Sequence, residues 1–173
     1  MASLMVGSPL WRHYSADTRP SGEGGLTETR MKLATIGYEH DTQAHVIDKL
    51  KAAHVETLID VRAVASSRRA GFSKTLLAAS LGEAGIAYLH LRDLGTPKAG
   101  RQAARAGRVA EMHRIYHAHL EEPAAQAQLA QAGEIAAERK SALLCYEADP
   151  AACHRRIVAD LLATKCGFEI EDL

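Results

Sequence analysis

Several things are scarce in this sequence, and each scarcity excludes something. Three cysteines, at positions 145, 153 and 166, are an odd, sparse set and no disulfide framework. A reducing, cytoplasmic setting is therefore expected. Aromatic residues make up only 5% of the chain, which argues against a stacking surface for single-stranded nucleic acid. No apolar run approaches the roughly 20 residues of a membrane span, so no membrane partner is expected. Lys+Arg and Asp+Glu balance at 21 each, so the total charge points to no polyanion. The phosphate loop G-x-x-x-x-G-K-[ST], the dinucleotide fingerprint G-x-G-x-x-G and the zinc-protease motif H-E-x-x-H are all absent. "GYEHDTQ" has too little glycine to stand in for a phosphate loop. What is present is an ordinary chain of 173 residues, 47% hydrophobic and 24% charged, long enough for one domain with a sizeable core.

The first thirty residues differ from the rest. They are rich in Ser, Gly, Thr and Pro, hold no sustained period, and lack the apolar core of a secretory signal. Residues 1–30 read as a disordered extension, or as the product of a start upstream of Met31, with a targeting arm or docking of "LMVGSPLW" as alternatives. The folded domain is expected over 31–173.

From Met31 onward short apolar runs alternate with helical patterns. Strands are expected at Lys32–Gly37, Thr57–Arg62, Ile86–Leu91 and Ala142–Glu147, with "FEIEDL" as a short fifth. A helix capped by Asp41 or Thr42 runs to about Ala53, and one capped by Ser73 runs to about Ala84, before Gly85. "GTPKAGRQAARAG" reads as a loop or frayed helix. A helix with Val109, Met112, Ile115, Tyr116 and Leu120 follows, broken at Pro123 before a second helical run to about Lys140. Asp149 caps the last helix, with Pro150 at its first position. Near-continuous apolar strands alternating with helices predict an α/β fold. It is a three-layer sandwich around a mostly parallel, Rossmann-like sheet of four to five strands.

In such sheets ligands bind beyond the carboxyl ends of the strands. Those ends carry Gly37, Tyr38 and Glu39; Asp60 and Arg62, leading to Ser66, Ser67, Arg68 and Arg69; His90, Arg92 and Asp93; and Cys145, Tyr146 and Glu147. Asp60 and Arg62 suit either a structural ion pair or a ligand contact. From Arg62 to Arg108 there are nine Lys or Arg against two acids, a net of +7, while Val109 to Pro150 nets −4. A basic middle under a neutral total suits a phosphate-bearing ligand, or is a solvated loop.

The stretch "LLCYEADPAACHRR" (Leu143 to Arg156) gathers two cysteines, a histidine and two arginines. A helix starting at Asp149 would direct unpaired N–H groups and a positive dipole end toward the strand tips, with Arg155 and Arg156 adding charge. Three readings follow. Cys145 or Cys153 could be a thiolate nucleophile. Cys145, Cys153 and His154 could join a metal site with a fourth ligand, but C-x7-C-H is no standard zinc spacing and no second pair is present, so no metal is assigned. The favoured reading has buried, unreactive cysteines, His154 orienting the loop, and arginines binding phosphate or carboxylate. Cys166 reads as ordinary core.

"TIGYE", "LIDVR", "SRRAGFSK", "GIAYLHLRDLG" and "LLCYEADPAACHRR" together resemble domain of unknown function family 488 from about Met31 to Ala163. The resemblance implies an α/β domain and a cytoplasmic bacterial or archaeal context, and supplies no reaction. Where that family carries Pro in a run like V-R-x-x-P-x-S-R, this chain has Ala65. The positions it carries over are Gly37, Tyr38, Asp60, Arg62, Ser67, Arg68, Phe72, Lys74, Cys145, Glu147, Cys153, His154 and Arg155. The expectation is a hydrolase or group transferase acting on a nucleotide or nucleic-acid component, with no bound cofactor. Asp60 or Glu147 would move protons, Tyr38 would position the substrate, and Cys145 would stand beside them. Arg62, Arg68, Lys74, Cys153, His154 and Arg155 would contact the ligand. The alternatives are a non-catalytic nucleotide or nucleic-acid-binding module, and thiol chemistry at Cys145 and Cys153.

Overall fold

The apolar runs become the strands of one sheet. The computed structural model describes residues 31–173. The expectations for residues 1–30 lie outside the described residues. The strands are β1 (Lys32–Gly37), β2 (Thr57–Asp60), β3 (Ala87–His90), β4 (Ser141–Cys145) and β5 (Glu169–Asp172). They lie in the order β3-β2-β4-β1-β5, and every pairing is parallel. The expected α/β fold is the one observed, with the sheet parallel throughout. Among the described residues no helix is long and apolar enough to cross a membrane.

The helices are α1 (Gln43–Ala52), α2 (Lys74–Glu83), α3 (Lys98–Arg105), α4 (Val109–Leu120), α5 (Pro123–Glu138) and α6 (His154–Cys166). Successive side chains of a strand point to opposite faces, and the two cores follow that alternation. Ala34 and Ile36 of β1, Leu58 of β2 and Leu144 of β4 pack with Val46 and Leu50 of α1 and Leu77 and Leu81 of α2. Leu33, Ile59, Leu143 and Cys145 pack the other way, with α3, α4, α5 and α6. Burying each such Leu or Ile contributes about 1.5–3 kcal/mol.

Several boundaries differ from the sequence reading for local reasons. Thr42 does cap α1, its side chain accepting from the His45 N–H. The Ser73 hydroxyl makes no cap bond and instead donates to the Ser67 carbonyl. β2 stops at Asp60 because Oδ1 of that residue accepts the Arg62 N–H, a side-chain turn that competes with the ladder. The segment read as a loop or frayed helix contains α3, whose Gly100 and Ala103 are buried. Pro123 separates two helices as expected, and it stands as the first residue of the second, α5. Asp149 caps only a 3₁₀ turn, Pro150–Ala152, and α6 begins after Cys153, whose backbone is extended.

This topology marks one strand. α1 and α2, which follow β1 and β2, cover one face, while α6, which follows β4, covers the other. β4 lies between β2 and β1. The connections at its carboxyl end therefore depart to opposite faces on both sides, which makes that end the topological switch point where ligands bind in sheets of this kind.

Candidate active site at the carboxyl end of β4

Cys145 is the last residue of β4. Its thiol and that of Cys153 both donate to Glu147 Oε2, at 3.1 and 2.9 Å. His154 completes the group, with Nδ1 3.6 Å from the Cys145 sulfur and 4.0 Å from that of Cys153. One donor atom from each of these four residues lies within 4.8 Å of all the others. Cys145, Cys153 and His154 are buried, and Glu147 is partly exposed. His154 Nε2 lies 2.9 Å from the Val61 carbonyl. That carbonyl can only accept, so Nε2 carries a hydrogen, and Nδ1 is the ring nitrogen nearer the thiols. The Tyr116 ring meets the imidazole edge-on at 5.2 Å, and its hydroxyl donates to the Leu94 carbonyl.

The titration behaviour follows from this packing. Burial first, and the neighbouring Cys145 second, push the Cys153 thiol well above its ordinary range, which favours the protonated form. Burial works to raise Glu147, but the hydrogen bonds from Cys153 and Cys145 outweigh it and hold the carboxyl below its ordinary range. Burial also works to lower His154, and its contacts with Cys153, the Val61 carbonyl and Glu147 turn the net shift upward.

Arg155 is 1% exposed and holds the loop in place. Its guanidinium donates to the carbonyls of Glu147 and Ala148 and to the Thr35 hydroxyl. The loop lies so close to β1 that a Cβ on Gly37 would sit 1.9 Å from the Glu147 carbonyl oxygen. Glycine is required there by space.

A second network occupies the other side of the sheet edge. Asp60 is fully buried and accepts from Arg62 Nε and Nη2 at 2.8 and 2.6 Å and from the Tyr88 hydroxyl at 2.6 Å. Arg62 also donates to the Tyr38 hydroxyl and the Phe72 carbonyl. Tyr38 stacks on Phe72 with ring centroids 4.1 Å apart and meets Tyr146 edge-on at 5.4 Å. Its hydroxyl also lies 3.4 Å from the Ser67 hydroxyl. The loop after β2 is thereby tied beside the tip of β4, with Arg68 exposed on it and Lys74 exposed at the start of α2.

The sequence-selected residues thus divide three ways. Cys145, Glu147, Cys153 and His154 meet. Asp60, Arg62 and Tyr38 form a closed network in which the pair takes its structural form. Arg155 faces backbone carbonyls, and Arg68 and Lys74 face solvent. Sequence reasoning left out Thr35, Val61, Tyr88 and Tyr116. A threonine inside the apolar run "LATIG" was a readable signal, whereas a backbone carbonyl such as that of Val61 leaves none.

The fold and this site define a parallel α/β domain with its polar centre at the sheet's switch point. Residues 42–162 match the family model described as Domain of unknown function DUF488, and the chain belongs to that family. Of the positions singled out by resemblance, Gly37 and Tyr38 precede the matched span and the others fall inside it. No curated protein and no solved structure matches the chain.

Proposed function

We propose that the chain is an enzyme, a hydrolase or group transferase, acting on a phosphate-bearing ligand such as a nucleotide or nucleic-acid component. The observation that carries this reading is the position of Glu147. It is the partly exposed carboxylate of a four-residue polar cluster at the end of β4, the sheet's switch point, where parallel α/β folds bind their ligands. Glu147 moves the proton, because both oxygens of Asp60 are engaged by Arg62 and Tyr88. Arg68, exposed on the adjoining loop, and Lys74, exposed at the start of α2, meet the phosphate. The half-exposed ring of Tyr146 offers the substrate an apolar face. Tyr38, Arg62 and Asp60 hold that loop in register.

The test is turnover of an identified phosphorylated substrate by the wild type and Glu147→Gln. The variant should keep ligand binding and lose about 100-fold or more in kcat. Unchanged turnover would remove Glu147 from the chemistry. The net +7 between Arg62 and Arg108 favours a second reading, a non-catalytic nucleic-acid-binding module. That reading requires binding to DNA or RNA that weakens steeply with salt.

A further inference from the structure

We propose that Cys145, Cys153, His154 and Glu147 form a binding site for a thiophilic divalent transition metal, with Zn²⁺ as the first expectation. The sequence assigned no metal because C-x7-C-H is no standard zinc spacing and no second ligand pair is present, and it left the fourth ligand open. The folded chain supplies it two residues after Cys145. Tetrahedral zinc has ligand bonds of about 2.0–2.3 Å, which sets neighbouring donor atoms roughly 3.3–3.8 Å apart by geometry. Here the two sulfur–carboxylate separations are 3.1 and 2.9 Å and the two sulfur–imidazole separations are 3.6 and 4.0 Å. The other two pairs also lie within 4.8 Å, so a modest closing of the cluster would bring four donors onto one ion.

Three further features belong to a metal site. The donor set of two sulfurs, one imidazole and one carboxylate suits zinc and its borderline neighbours over Mg²⁺ or Ca²⁺, which prefer oxygen. His154 is already oriented as a ligand, with Nε2 held by the Val61 carbonyl and Nδ1 turned to the thiols. The loop between the two cysteines is fixed from behind by Arg155 and by the close approach of Gly37. Binding one M²⁺ replaces two S–H bonds by two metal–thiolate bonds and releases two protons to solvent, with no change of oxidation state. Glu147, the one donor that is not buried, is the ligand a substrate can displace, and it would then stand free beside the metal.

This inference does not rest on the proposed reaction, and its test uses no phosphorylated ligand. The full chain, reduced and stripped with a chelator, is titrated with Co²⁺ and then competed with Zn²⁺. The expected result is one Co²⁺ per chain, the intense visible bands of a tetrahedral ion, thiolate-to-cobalt charge transfer, and bleaching by Zn²⁺. Cys145→Ser and Cys153→Ser should each lose the charge transfer in part and bind at least about 10–100-fold more weakly. Should either serine variant fail to fold, the near-isosteric Glu147→Gln carries the test through the same loss of affinity, and Cys166→Ser should match the wild type. A weak octahedral spectrum without charge transfer would overturn the proposal. So would a tetrahedral spectrum that survives in Cys153→Ser and Glu147→Gln unchanged.

Discussion

His154 Nε2 stands 2.9 Å from the carbonyl oxygen of Val61, one residue after the end of β2. That contact joins the start of α6 to the neighbouring strand and fixes which imidazole nitrogen faces Cys145 and Cys153. His154→Phe would keep much of the ring's bulk and lose the bond. The Val61 carbonyl would then be buried without its partner, at a cost of about 1–3 kcal/mol. Urea unfolding with an unchanged denaturant slope is the check.

Arg155 is expected to matter for stability more than for ligand affinity. Arg155→Met removes the donors serving the carbonyls of Glu147 and Ala148, so a loss of about 2–4 kcal/mol is expected. Denaturant unfolding measures it. A stable Arg155→Met protein with impaired phosphate binding would instead make the guanidinium a ligand contact.

Two glycines should respond in opposite directions. Gly37→Ala would drive a Cβ into the Glu147 carbonyl, and the backbone on both sides would have to move. A loss of about 3 kcal/mol or more is expected. Gly82, on the exposed side of α2, has nothing within 4 Å of an added Cβ. Gly82→Ala should be stabilising by up to ~1 kcal/mol. Thermal melts of the two variants against wild type decide both.

Thiol accessibility should separate the three cysteines. Cys145 and Cys153 are buried and Cys166 is exposed near the end of α6. Iodoacetamide on the native protein should modify Cys166 first. Partial burial raises the Cys166 thiol, so its labelling should quicken at alkaline pH. Cys145 and Cys153 should react only after unfolding. Peptide mass spectrometry reads the sites, and rapid native labelling of Cys145 or Cys153 would revive thiol chemistry.

Asp41 should shape the acid limb of stability. The His45 ring bonded to its carboxylate, with Lys49 nearby, outweighs desolvation and holds Asp41 below its ordinary 3.8. A depressed folded value means the stabilisation is full above that ordinary value and lost as the pH falls through the lower one. Asp41→Asn should therefore be less stable than wild type near neutrality by under ~1 kcal/mol, and equal to it at strongly acid pH. Urea midpoints across pH 2–7 test this, and a gap that persists in acid would contradict it.

Much of the fold was legible because its strands are short, apolar and bounded by capping residues. Thr42 marked its helix by its capping hydroxyl, and Gly85 marked its own by a positive φ of 75°. Strand order was not legible, because β2 and β1 each pair with β4 across long stretches of sequence. The site was half legible. "LLCYEADPAACHRR" was visibly unusual, and carboxyl-end placement followed from the α/β pattern. Two things hid its geometry. Asp149 looked like the cap of a long helix but caps a single 3₁₀ turn, which turns Cys153 back toward Glu147. Arg155 looked like an anion ligand because its acceptors are backbone carbonyls, which every sequence contains and none reveals.

The central claim is that the switch point at the end of β4 receives a phosphate-bearing ligand. The most direct measurement is a thermal-shift panel of nucleotides, nucleosides, sugar phosphates, inorganic phosphate and short oligonucleotides. It compares the full chain with the Arg68→Ala, Lys74→Ala double variant. A ligand at about 100 times its Kd contributes roughly 2.7 kcal/mol, a shift of about 5–10 °C for a chain this size. The account predicts stabilisation by one phosphorylated class, absent with its unphosphorylated counterpart and lost in the double variant. No shift from any phosphorylated compound, or a shift the double variant retains in full, would contradict it.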